Sequence, residues 1–429
     1  MEISQLYRLF QKQGVVSTDT RKITRGSIFF ALRGDTFDGS DFIEEALSKG
    51  AAYAISDSAR VSGDKIIRVE NSLATLQKLA TYHRNSLGIK ILAVTGSNGK
   101  TTTKELCRAV LSEKYSVYAT EGNLNNHIGV PLTLLSMKNS TEVGIVEMGA
   151  NHPGEISFLC SLAQPDYGLI TNIGKAHLEG FGSIEAVAGA KGELFDYLIE
   201  NKRIVIVNEG DIRIIKLVRA NYENAVYYNG KHGIYPGNIR DSLLLEFEAF
   251  ISGKPVTIKT NLIGKYNIEN VLAAFMVGIS FGVSESSALR AIAEYKPSGH
   301  RSQLINTSRN RLFMDSYNAN PSSMAVAIKE FLSANEKGKL MILGEMAEVG
   351  PSSADEHEEV VSMLQANGLK EEVIFVGKAF KSPAKNAGFM HFDTTDHLCS
   401  YFSKNPLNGK FILVKGSRIN KLEKLLNYL

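Results

Sequence analysis

The chain is poor in cysteine, has no apolar stretch long enough to span a membrane and carries little net charge, and each shortage narrows what it can do. Its three cysteines, Cys107, Cys160 and Cys399, are scattered over 429 residues. An odd number with neither pairing nor ligand spacing argues against a disulfide framework and a cysteine metal centre, and for a reducing compartment. The most hydrophobic stretch, Val271 to Val283, falls short of the ~20 residues of a spanning helix and reads as a buried one. Met1 leads into a short amphipathic segment containing Lys12 rather than an apolar core with a cleavage site, so no secretory signal is expected. A formal net charge of +3 is too small to argue for nucleic acid or a membrane surface. Basic stretches such as Arg21-Lys22 and Lys421 to Lys424 read as solvated faces. The expectation is a cytoplasmic protein with no nucleic-acid partner and no membrane insertion.

What is present is an ordinary globular composition, 44% hydrophobic and 22% charged, in a chain too long for one core. Three stretches differ in pattern. Residues 1–86 hold a polar Thr18-Asp19-Thr20-Arg21 cluster, an apolar run Ser27 to Leu32, a helix-like Asp41 to Lys49 and a strand-like Ala52 to Ile55. They read as a small α/β substrate-binding unit. Across 87–297, short apolar runs ending in polar residues alternate with helix-like segments: Ile91–Val94 before Thr95, Val143–Val146 before Glu147, Leu169–Ile170 before Thr171, Ile204–Val207 before Asn208. That pattern indicates a parallel sheet covered on both faces, with ligands collecting at the strands' carboxyl ends. After the breakers Lys296 to His300 it returns over 298–429, with Leu312–Met314 before Asp315, Leu340–Leu343 before Gly344, Val373–Val376 before Gly377 and Phe411–Val414 before Lys415. The fold class expected is α/β in three domains: an N-terminal α/β unit, a central parallel-sheet domain and a C-terminal Rossmann-like domain.

The most informative segment is Gly96-Ser97-Asn98-Gly99-Lys100-Thr101-Thr102, between an apolar run and a helix-like stretch reaching Leu111. A strand feeding a glycine turn that opens a helix is a phosphate cradle (a phosphate loop, or P-loop), so the central parallel-sheet domain is expected to be a P-loop ATPase domain. Backbone N–H groups and the positive helix end face the anion, Lys100 adds a point charge, and the Thr101 hydroxyl suits Mg²⁺. The cradle has Val94 where the longer six-residue form places its first glycine. Glu147, at the end of a buried run, is the carboxylate a Mg²⁺–nucleotide site needs. His177 follows another strand end and would join it by convergence, although a lone histidine is more often structural. Lys191 alone reads as a surface lysine on a helix. Asn267 and Asn270, at the start of the apolar helix, are either N-caps or readers of the adenine edge. Arg301 is suited to a phosphoryl group and Asp315 to ribose hydroxyls. The run Asp315 to Pro321 is denser in polar turn formers than a plain connector.

These pieces together resemble the Mur ligase family, the ATP-dependent amide-forming enzymes of peptidoglycan synthesis. The resemblance rests on Thr95 to Glu105, Gly122 to Pro131, Glu147 to His152, His177 to Ser183, Asp315 to Pro321, Leu343 to Met346 and Lys415 to Arg418. It implies that ATP and UDP-N-acetylmuramoyl-tripeptide react through an acyl phosphate, which the amine of D-Ala-D-Ala then attacks. Carried over, Thr101 and Glu147 would hold one Mg²⁺ and His177 a second, with Lys191 carbamylated to help place it. Lys100, Glu147, His177, Lys191 and Arg301 would serve catalysis. Gly96, Ser97, Asn98, Gly99, Lys100, Thr101 and Thr102 would cradle ATP. Asn208, Asn267 and Asn270 would lie near adenine, Asp315 near ribose and Arg301 near the γ-phosphate. Thr18, Asp19, Thr20 and Arg21, with Asn123, Asn125 and Asn126, would contact the UDP-linked substrate, while Tyr317, Asn318 and Asn320 would place the dipeptide. The pattern departs at His300, where the family more usually has a glycine before the arginine, and at Glu209-Gly210-Asp211. A monomer is expected.

Two other readings share part of this pattern. A folylpolyglutamate-synthase-like ligase would have the same phosphate loop but generally lacks an N-terminal domain of this size. A nucleotide-gated binding protein would hydrolyse ATP without needing the polar density at 315–321.

Overall fold

A computed structural model describes residues 1–34, 36–174, 178–347, 349–369 and 372–429.

The first unit is a four-stranded parallel sheet, ordered Val16–Ser17, Ile28–Phe30, Tyr53–Ser56, Ile66–Arg68. The helix-like stretch at 41–49 is split into a 3₁₀ turn, Gly39–Phe42, and a helix, Ile43–Ser48. Asp38 sets that turn by accepting from the Ser40 N–H. Helix Ser72–Leu87 follows, capped by the Asn71 side chain and ended at Gly88 in the left-handed region.

The central sheet has six parallel strands in the order 225–228, 204–208, 167–170, 90–95, 143–147, 117–119. The phosphate-loop strand Lys90–Thr95 lies where the order switches sides, the crevice at which α/β sheets bind ligands. Alternate residues of each strand feed opposite cores. Ile91, Ala93, Val146, Val205 and Val207 pack on the side of helices Glu155–Ala163 and Ile184–Glu200, together with buried side chains of the first unit. Leu92, Val94, Ile145, Leu169 and Ile206 pack on the side of helices Lys100–Leu111 and Asn267–Ser280. The strands are buried on both faces, which is why they read as continuous apolar runs.

One element departs from the sequence expectation. Residues 235–263 contain no crossover helix but a three-stranded antiparallel sheet, Tyr235–Ile239, Leu244–Ile251 and Lys254–Ile263. Its two long strands join through Ser252 and Gly253, both at positive φ (49° and 76°), the two-residue hairpin turn that matches strand twist.

The third unit has six strands ordered 303–306, 311–315, 411–415, 339–344, 373–376, 390–392, parallel except for the antiparallel first edge. Between the second and third units the chain passes through Gly299, His300 and Ser302, all at positive φ (66°, 58° and 47°). His300 therefore holds a left-handed conformation that a non-glycine residue seldom adopts.

Candidate active site

The phosphate loop closes on glycine for steric reasons. A Cβ at Gly96 would lie 2.0 Å from Thr171 Oγ1, and one at Gly99 2.7 Å from Asn270 Oδ1. Both glycines also have positive φ (139° and 77°). Helix Lys100–Leu111 starts at Gly99 with no side chain capping it, so its first N–H groups stay available to an anion. The neighbouring strand's end fixes the loop: Asn98 N donates to Asn172 Oδ1 (2.9 Å), while Thr171 Oγ1 and Asn172 Nδ2 donate to Asn98 O (2.6 and 3.0 Å). Lys100 Nζ donates to Gly96 O at 2.7 Å.

Glu147 is 2% exposed and ends its strand beside this loop. Its two oxygens take different donors, Thr101 Oγ1 on Oε2 and Asn125 Nδ2 on Oε1, both at 2.8 Å. Its own N–H donates to Thr120 Oγ1 (3.0 Å), and the fully buried Lys104 holds the Thr120 carbonyl. A carboxylate beside a hydroxyl is a hard-oxygen pair that suits Mg²⁺. Among the described residues no group of three or more His, Cys, Asp or Glu side chains could complete a metal site.

Lys191 lies in helix Ile184–Glu200 with its side chain fully buried. Its amine donates to Ala150 O at 3.1 Å and stands 5.3 Å from the Phe181 ring centroid. Burial, and then the charge of Lys100, push this amine down to about 7.

Asn267 and Asn270 form a linked pair. Asn270 Nδ2 donates to Asn267 Oδ1 (2.8 Å), Asn267 Nδ2 to Ile263 O (2.8 Å), and Thr103 Oγ1 to Asn270 Oδ1 (3.0 Å). Tyr266, not an asparagine, occupies the N-cap position of their helix. The pair instead ties that helix to the phosphate-loop helix.

In the third unit Asp315 Oδ2 accepts from the buried Lys415 Nζ (2.5 Å), its direct neighbour across two parallel strand ends. Asp315 Oδ1 accepts from Ser302 N at 3.2 Å. The Arg301 guanidinium lies 3.6 Å over the Tyr317 ring centroid, with Arg418 5.5 Å away. One cavity of about 1080 Å³ connects these features, lined by the phosphate loop, Glu147, Asn267, Arg301 and Asp315 among others.

Comparison with known proteins gives the family. Three Mur ligase models match: the family's catalytic domain over residues 14–84, its middle domain over 94–278 and its glutamate ligase domain over 300–418. The UDP-N-acetylmuramoyl-tripeptide–D-alanyl-D-alanine ligase of Bacillus subtilis is 35% identical over 96% of this chain and 92% of its own. The chain belongs to the Mur ligase family. MurF from Acinetobacter baumannii superposes with a TM-score of 0.86 at 27% identity, over 98% of this chain and 97% of its own. MurF from Thermotoga maritima, solved in complex with ADP, gives 0.82 at 28% identity over 96% of each chain.

On this Mur ligase framework the expected residues divide into groups. Ser97, Asn98, Gly99, Lys100, Thr101, Thr102, Asn123, Asn125, Asn126, Glu147, Asn267, Asn270, Arg301, Asp315, Tyr317, Asn318 and Asn320 all line the cavity. Gly96 and Lys191 do not line it but bond to residues that do, Gly96 O accepting from Lys100 Nζ and Lys191 Nζ donating to Ala150 O. Asn208 is buried and does not line it, its side-chain Oδ1 accepting from Gly210 N and Asn229 Nδ2 (2.9 Å each). Thr18 to Arg21 lie off the cavity wall, in a turn where Arg21 pairs with Asp19 (2.8 Å) and holds that carboxyl down at about 2. His177 is outside the described residues. Sequence reasoning missed Asn172, which steers the loop, and Lys104 behind Thr120. Lys104 sits at the fifth position of a strongly amphipathic helix, and its inward phase was the available signal. No helix among the described residues is long and apolar enough to cross a membrane.

Proposed function

We propose that this chain joins D-Ala-D-Ala to UDP-N-acetylmuramoyl-tripeptide at the expense of ATP, yielding the UDP-N-acetylmuramoyl-pentapeptide of peptidoglycan synthesis. The observation that carries this reading is a single cavity faced by both the phosphate loop and the polar loop 315–321, in a chain related end to end to ligases of that name. A carboxylate is a poor electrophile, so the tripeptide carboxylate oxygen first takes the γ-phosphoryl group and ADP leaves. The dipeptide amine nitrogen then bonds to the carbonyl carbon, the C–O bond to phosphate breaks, and inorganic phosphate and a proton are released. Holding both partners in one cavity supplies the orientation this sequence of steps needs.

Within this reading the phosphate-loop N–H groups and Lys100 bind the nucleotide phosphates, and Arg301 serves the transferring group. Asn267 and Asn270 serve adenine and Asp315 ribose. Thr101 and Glu147 would hold one Mg²⁺, whose charge offsets the repulsion between carboxylate and phosphate. A second ion would fall to His177 and a carbamylated Lys191. The low basicity of the buried Lys191 supports that modification, because only a neutral amine adds to CO₂. We further propose domain limits of 1–86, 87–297 and 298–429, a monomer and a cytoplasmic setting. A four-stranded first unit weighs against the folate-type alternative.

The test is phosphate release from ATP and Mg²⁺ with UDP-N-acetylmuramoyl-tripeptide present and D-Ala-D-Ala added or withheld, the product weighed by mass spectrometry. Release that needs both substrates and gives a pentapeptide is expected. Release indifferent to both would overturn the assignment in favour of a nucleotide-gated switch, and folate with glutamate would be tried next.

A further inference from the structure

The phosphate loop has a side chain that bonds directly to the third unit. Asn98 Oδ1 accepts a hydrogen bond from Asn320 Nδ2 at 2.8 Å, joining residues 222 positions apart. Both amides are set rigidly before they meet. The Asn98 backbone is pinned on its N–H and its carbonyl by Thr171 and Asn172. Asn320 caps helix Pro321–Ser333: its Oδ1 accepts from Ser323 N (2.9 Å), Ser323 Oγ accepts from Asn320 N (3.1 Å), and proline opens the helix. One residue earlier, Ala319 O accepts from Ser417 Oγ (3.2 Å), which in turn accepts from Ala347 N (2.8 Å). Neither group can follow the other by local rearrangement, so the bond exists only in one placement of the third unit against the phosphate loop.

We propose that Asn98 and Asn320 form a latch that docks the C-terminal unit directly on the phosphate loop, and that Asn320 is a positioning residue for ligation. The latch rests on the ligase reading above and adds a residue pair to it. Asn320 spends its oxygen and one N–H on the cap and the latch, so its contribution to the dipeptide comes through the placement of Asp315 to Asn318 rather than through contact alone.

The test separates cap from latch. Asn320→Ser keeps a good helix N-cap but is too short to reach Asn98. Asn98→Ala removes the partner from the other side. Each should lower kcat for ligation about three- to tenfold, the range of one neutral hydrogen bond, with ADP affinity of Asn320→Ser unchanged. The double variant should be no worse than the more affected single one. Hydrogen exchange should rise at residues 318–324 in Asn98→Ala, a readout that needs no ligation. Wild-type protein that ligates, with additive losses in the double variant or unchanged exchange at 318–324, overturns the latch. Wild-type protein that does not ligate overturns the functional reading instead, and the exchange measurement then decides the latch by itself.

Discussion

Lys191 shows how a residue acquires chemistry from its surroundings. With its amine at about 7, roughly a tenth is neutral at pH 6 and about nine-tenths at pH 8. Uptake of ¹³C-labelled CO₂, followed by NMR, should therefore rise through pH 7 and vanish in Lys191→Ala; uptake flat from pH 6 to 8 would remove the carbamate. The same shift has a consequence for stability. Between pH 7 and 10.5 the unfolded chain keeps a proton that the folded chain has released, so this residue makes stability rise with pH across that window. In CO₂-free buffer, urea unfolding of Lys191→Met should show a pH slope lower by up to about 1.4 kcal/mol per pH unit, the value of one proton. An unaltered slope would mean that the amine is charged when folded. The strand-end residues Glu147, Asp315 and Thr171 were legible because a parallel sheet brings such positions to one edge. Burial of Lys191 was not, because Ala190-Lys191-Gly192 carries no sign of which helix face it shares. Nor was the partnership of Asp315 with Lys415, which depends on register between strands a hundred residues apart.

At the scale of elements, the strands found by apolar runs are the ones buried on both faces. Lys90–Thr95, Val143–Glu147 and Phe411–Lys415 each extend the expected run by a residue or two. The antiparallel insertion escaped because its pattern has period two. Along Leu244–Ile251 every second residue is buried, with Leu245, Phe247, Ala249 and Ile251 inward and Glu246 and Glu248 on the other face. With Ser252-Gly253 as its turn, the hairpin was written in the sequence in a different code from the surrounding βα repeats. The alternation is testable. Phe247→Ala should cost about 3–5 kcal/mol in urea unfolding, whereas Glu248→Ala should stay within about 0.5 kcal/mol. Equal effects from the two would mean that the strand does not present one face to the core.

The molecule as a whole sets a problem of reach. The cavity lies between the second and third units, yet the Thr18 to Arg21 turn is not on its wall. In that turn the Asp19 carboxylate is held by the Arg21 side chain and the Arg21 N–H, the paired Arg21 side chain stays 84% exposed, and on the proposed reading it would meet the far end of the UDP-linked substrate. On the proposed reading the substrate carries a sugar nucleotide at one end and a peptide at the other, so its acyl terminus would lie in the cavity and its diphosphate outside it. If the first unit serves only that far end, its loss should be felt in binding of one substrate and nowhere else. Arg21→Ala is then expected to raise KM for UDP-N-acetylmuramoyl-tripeptide about ten- to a hundredfold, the range of one charge-assisted hydrogen bond, with kcat and ADP affinity held. A fall in kcat at unchanged KM would place Arg21 in the reacting geometry rather than at the anchor. An ADP affinity that falls with it would mean that the units do not bind their ligands separately. The expected split follows from uniform binding: a contact equally strong before and during reaction changes how much substrate is held, not how fast the held substrate reacts.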